Sequence, residues 1–114
     1  MAKMEYTVEW VDTVAFLRAA RAAIRKAGIS DVEAELAQGV HDWADPECHI
    51  RTRRFSSLPI AKAWATKNRE LDWFHEPRVF VTRTAPVAPW PLEKTETLEE
   101  WRFDGEDALS LYSA

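Results

Sequence analysis

The sequence predicts an α+β domain, a two-layer ferredoxin-like sandwich of order βαββαβ, and three observations predict it. Met4, Tyr6, Val8 and Trp10 alternate with Glu5, Thr7 and Glu9, the period-two signature of a strand with one buried face. Val14, Leu17, Ala20, Ile24 and Ala27 then recur at helical spacing, with Arg18, Arg21 and Arg25 on another face. A similar succession of strand, helix and strand returns roughly 45 residues later, as a structural repeat would.

Taken in order, the first strand covers residues 4–10. Asp12 or Thr13 caps the first helix, residues 13–27, and Gly28 supplies its left-handed stop. Residues 30–37 carry two patterns: Ser30 with Glu33 forms a capping box, whereas Val32, Ala34 and Leu36 alternate with Glu33 and Glu35 as in a half-buried strand. The repeat decides for the strand, at 31–37. Gly, Pro and Asp residues make a loop of 38–47. The second half follows as strand 49–55, helix 57–70 capped by Ser57 with Pro59 in its first turn, and strand 78–83 launched by Pro77.

Residues 1–83 therefore form the core domain. Residues 84–92, TAPVAPWPL, carry three prolines and read as an extended connector. Residues 93–114 form an acidic extension, too rich in Leu98, Trp101, Phe103, Leu109, Leu111 and Tyr112 to be a free tail, and they are expected to pack on the domain. Thr97 with Glu100 suits a helical turn and Asp104-Gly105 suits a hairpin; the two stay open.

A chain of 114 residues that is 46% apolar can bury a core without a staple. The single cysteine, Cys48, excludes an internal disulfide and fits a reducing compartment. The start has no apolar run of signal-peptide length, and no stretch is apolar enough to span a membrane. The expectation is a cytoplasmic protein with no membrane partner.

Charge is sorted along the chain. Residues 1–30 carry +2 (five bases, three acids), 31–48 carry −6 (six acids, no base), 49–83 carry +5 (eight bases, three acids) and 84–114 carry −5 (two bases, seven acids), for a net −4. A net acidic chain is a poor general binder of nucleic acid, because its long-range field repels phosphate. The local exception is the segment 51–69, with six bases and no acid.

No catalytic signature is present. His41, Asp42, Asp45, Glu47, Cys48 and His49 crowd into nine residues, but without the paired C-x-x-C or helical H-x-x-x-H spacing of metal sites. Cys48 as a nucleophile needs a nearby base such as His41 or His75, and neighbouring His49 would leave the opposite face of a strand. His75-Glu76 in a bend is a lone acid–base pair. No metal, cofactor or catalytic residue is assigned.

On the sheet face away from both helices, Glu5, Glu9, Glu33 and Glu35 are expected to meet Arg51, Arg53 and Arg78 as cross-strand pairs. Only Phe80, and Phe55 if it shares the Arg51/Arg53 face, would offer a ring there, so base stacking of RNA is disfavoured. Six Trp exceed what a small core hides with ease. The expected function is a small non-enzymatic module that binds a protein partner, or its own copy, through charge-segregated, Trp-bearing surfaces. Arg53, Arg54, Lys62, Lys67, Arg69, Trp43, Trp73 and Trp90 are the candidate contacts. One concrete form is a regulator or inhibitor whose acidic segments, 31–47 and 93–107, dock on the basic surface of a nucleic-acid enzyme, as phage-encoded anti-defence proteins do. The alternative is nucleic-acid binding through 51–69.

Overall fold

The structure is a computed structural model that describes residues 2–88, 92–103 and 109–113. Strand β1 (Lys3–Asp12) leads directly into helix α1 (Thr13–Lys26), followed by helix α2 (Val32–Gly39). Two 3₁₀ turns, Val40–Asp42 and Pro46–His49, precede β2 (Ile50–Phe55) and α3 (Leu58–Asn68). Strands β3 (Phe74–Pro86), β4 (Glu93–Phe103) and β5 (Leu109–Ser113) complete the chain. The five strands form one sheet in the order β2-β1-β3-β4-β5, every neighbour antiparallel.

The α+β class holds, but the sheet order, with its additional strands, does not reproduce the ferredoxin-like one. Both β2 and β3 run antiparallel to β1, so they are parallel to one another, joined by α3 with β1 between them. This is the split unit that the second half of the sequence predicts. The predicted strand 31–37 is instead α2. The Asp31 carboxylate accepts from the Ala34 N–H at 3.2 Å, capping the helix, and Glu33 and Glu35 in its first turn suit the positive end of the dipole. Arg21 of α1 donates to Glu33 at 2.8 Å and ties the two helices together. Val32 and Leu36, four apart, are both half-buried, so helical spacing wins over alternation.

The helix α1 has the predicted bounds within a residue: Asp12 is its cap, accepting from the Ala15 N–H at 3.1 Å, and Gly28 sits at φ +83° beyond its end. Its buried residues Phe16, Ala20 and Ile24 face α2 and the two 3₁₀ turns. It does not lie over the sheet as its counterpart does. The main core forms under α3 alone, where fully buried Ala61 and Ala65 let the helix approach Val8, Phe74 and Val79. Trp10, Trp64, Trp73, Phe55 and Trp101 pack around this cluster.

The tail is also strand. β3 continues through Thr84–Pro86, where the sequence suggests a connector, and pairs with Glu93–Thr95 of β4; the Val87 N–H donates to the Leu92 carbonyl at 2.9 Å beyond the last pair. Thr97 and Glu100 lie in β4 and cap no helix, while the Asp104-Gly105 turn and Trp90 lie outside the described residues. Three bulges bend the sheet. Glu76, at φ 48°, and Pro77 together oppose Trp10, Leu98 is extra on β4, and Tyr112 is extra on β5. With a helical lobe at one side and a long β3–β4 pair, the molecule measures 56 × 38 × 20 Å. Its radius of gyration is 18.0 Å, against about 13 Å for a compact chain of this length.

Candidate protein-interaction surface

Residues opposite one another in antiparallel strands share a face, so the register sorts the charges. Val8 faces Arg53, Val79 faces Val8, Trp101 faces Val79 and Leu111 faces Trp101. This row runs across the side of the sheet that carries α3, from a cation at one edge to an exposed leucine at the other. Arg51, opposite Trp10, and Phe55, opposite Tyr6, belong to the same side. The predicted meeting of Arg51 and Arg53 with the glutamates of β1 is therefore overturned: β2 enters with the opposite parity, and Glu33 and Glu35 are on α2. Arg54 takes that role, pairing with Glu5 at 3.3 Å.

On the α3 side, cations lie on aromatic rings. Lys62 Nζ is 3.7 Å from the Trp101 ring centre, and Arg69, seven residues on and hence on the same helix face, holds its guanidinium 4.6 Å from that of Phe103. Arg53 lies 5.2 Å from Trp64 and 5.3 Å from Phe55. Each ring's quadrupole attracts the cation, and the alkyl stems cover apolar surface while the heads stay near water. Lys67 is exposed, as is Ile60, at 51%. Thus α3 presents a basic, aromatic-backed surface: Arg53, Lys62, Lys67 and Arg69 share this side, while Arg54 points away to the open face.

The tryptophans divide differently. Trp73 is half-buried and packs against the core beside Trp10 and Phe74, with ring centres 5.9 and 5.5 Å away. Trp43 is half-buried just beyond the turn Val40–Asp42. Trp64, Trp101 and Phe103, which composition alone did not single out, are the rings that back the basic residues. Their signal was present as the pairing of Lys62 and Arg69 at i and i+7 with an alternating Trp101/Phe103, but no sequence pattern says that those two elements adjoin.

The open face is polar and internally balanced. Glu5, Thr7, Glu9, Thr52, Arg54, Phe80, Thr82 and Thr97 line a shallow depression of about 400 Å³. Arg54 pairs with Glu5, Arg78 stands opposite Glu9, and Arg102 pairs with Glu100 while stacking 3.7 Å over Tyr112. On the other side of the sheet, Arg83, opposite Met4, donates to Glu96 of β4 at 2.9 Å, and this hydrogen bond holds the Glu96 carboxyl below its ordinary value.

Cys48 is exposed in a 3₁₀ turn that also contains His49, and His41 and His49 lie 5.7 and 6.1 Å from the Phe16 ring. Among the described residues no three His, Cys, Asp or Glu side chains are placed to hold a metal ion. His75 and Glu76 stand 3.8 Å apart, both exposed. No helix among the described residues is long and apolar enough to cross a membrane. Comparison of the chain with protein-family models, with curated protein sequences and with solved structures returned no match.

Proposed function

We propose that this chain is a small non-enzymatic module that binds an acidic protein partner through the α3 side. The observation that supports the reading is the set of cation–aromatic stacks, Lys62 on Trp101, Arg69 on Phe103 and Arg53 on Trp64. Trp and Arg anchors with apolar bodies and charged rims are the composition of binding hot spots. Ile60, 51% exposed on the same helix, and Leu111, 49% exposed on β5, add apolar area beside them.

Nucleic acid is the second reading, favoured by the basic segment 51–69. Against it stands the use already made of the rings. Single-strand binders stack bases on free aromatic faces, and here the chain's own cations occupy a face of Trp64, Trp101, Phe103 and Tyr112. A regulator or inhibitor of a nucleic-acid enzyme, the phage-type form included, would instead dock its acidic segments, 31–47 and 93–107, on a basic surface; it is a separate mode of protein binding, with the cytoplasm as its setting.

The test is affinity capture with cross-linking from the native host, using the whole chain and a Lys62→Glu/Arg69→Glu variant checked for folding by circular dichroism. Recovery of a partner by the parent chain and its loss with the folded variant is the expected result. A partner retained equally by both would overturn the α3 side as the contact. Salt-sensitive binding of single-stranded or duplex nucleic acid, abolished by the same variant, would transfer the function to the second reading.

A further inference from the structure

The segment that the sequence suggests as a strand folds as α2, and among the described residues no strand lies beyond the outer edge of β2. In the ferredoxin-like order that the sequence suggests, that segment would have lain beside β2. We propose that β2 accepts an extended acidic segment of a protein partner as an added sixth strand. The inference rests on the reading of the chain as a protein-binding module and names the partner's chemistry and mode of binding.

Three features of the edge carry it. First, β2 is regular: all six residues, Ile50–Phe55, pair with β1 without a shift. Alternate N–H and C=O groups of such a strand point outward, ready to form a ladder. Five of its six residues are exposed. The opposite edge differs, since β5 has five residues and is interrupted by the bulge at Tyr112, a device that blunts pairing.

Second, the charge selects the occupant. Arg51, Arg53 and Arg54 give β2 three cations and no acid. A second copy of β2 laid against the first would bring arginines together, and like charges across a ladder are destabilising. An incoming strand with carboxylates at alternate positions would set them beside Arg51 and Arg53, which share a face, as the register with Trp10 and Val8 requires. Arg54, on the other face, is already paired with Glu5.

Third, the edge is partly organised in advance. Arg53 is held over Phe55 and Trp64, so part of the side-chain ordering that an ion pair demands is already made. The chain's own segment 32–36, Val-Glu-Ala-Glu-Leu, has the alternation such a strand needs. It is engaged as α2 through the Asp31 cap and the Arg21–Glu33 pair.

The test uses the whole chain and an end-capped synthetic peptide of alternating glutamate and valine, with a lysine–valine peptide as control. Titration followed by amide NMR is expected to shift and protect alternate β2 amides, with Trp64 indole signals moving because Arg53 lies over that ring. Arg51→Gln with Arg53→Gln should weaken the acidic peptide at least tenfold, and salt should weaken it further. Wild-type protection at β2 is read directly, so the result does not depend on the variant folding. Equal binding of the lysine peptide, shifts confined to α3 or the open face, or no binding would each overturn the proposal. Oligothymidylate protecting the same β2 amides, with the acidic peptide inert, would overturn it in favour of nucleic acid. If capture depends on Lys62 and Arg69 while the peptide leaves β2 untouched, the protein-binding function stands and the edge proposal alone fails. If β2 is protected and no partner depends on α3, the reverse holds.

Discussion

Lys62 of α3 and Trp101 of β4 meet through a cation–π contact, with Nζ 3.7 Å from the ring centre, and so join the helix layer to a strand beyond the three strands that α3 packs on. Replacing the charge while keeping the stem isolates this contact. Lys62→Met should destabilise the fold by about 0.5–1 kcal/mol, read as a lower urea midpoint at unchanged slope. An unchanged midpoint would mean that the contact contributes nothing in solution.

The close approach of α3 to the sheet depends on small residues. Ala65 has no exposed surface, so Ala65→Leu would force the helix away from Val8 and Val79 and should cost about 1–3 kcal/mol. Thermal unfolding by circular dichroism measures it, and a neutral result would place a void where the structure has contact.

Capping by Asp12 starts α1 directly at the end of β1. Asp12→Ala should cost about 1 kcal/mol, whereas Asp12→Asn, which keeps the side-chain acceptor, should cost less. Equal losses in chemical denaturation would assign the effect to charge rather than to the hydrogen bond with the Ala15 N–H.

The α1/α2 lobe has its own buried residues, outside the cluster under α3. Ile24→Ala, at a fully buried site, should remove about 2–5 kcal/mol from the packing of that lobe. Faster amide exchange in α1 and α2, with β1, β3 and β4 still protected, is the expected pattern. Uniform acceleration throughout would show one cooperative unit instead.

The Arg21 hydrogen bond holds the Glu33 carboxyl below its ordinary value, and the same bond raises Arg21 above its own. A depressed carboxyl stabilises the folded state above the ordinary carboxylate range, and that contribution disappears as pH falls through the depressed value. Both groups are exposed, so the effect on stability is small. Carboxyl-carbon NMR should find Glu33 titrating below its ordinary range, and Arg21→Gln should bring it back up.

Elements whose signal is local were legible in the sequence. Alternation marked β1, Asp12 and Gly28 bracketed α1, and Ser57 with Pro59 opened α3 where the structure has it, the Ser57 hydroxyl accepting from the Ile60 N–H at 3.4 Å. The segment 31–37 carried two local patterns. The repeat favours the strand without a tertiary contact behind it, whereas the Arg21–Glu33 bond and the partial burial of Val32 and Leu36 belong to the helix. The candidate surface was legible as its cations, Arg53, Lys62, Lys67 and Arg69. Two of its rings, Trp101 and Phe103, came from β4, which no local signal distinguishes from an acidic tail.

The sequence by itself determined the α+β class, the β1–α1 start, the β2–α3–β3 unit and the block of positive charge, because periodicity, capping and composition act over a few residues. Only the tertiary structure decided that β2 is an edge, that Arg51 and Arg53 share the α3 side while Arg54 does not, and that Trp101 lies under Lys62. Those outcomes depend on strand register and sheet order, and a shift of one residue in register moves every side chain of a strand to the other face.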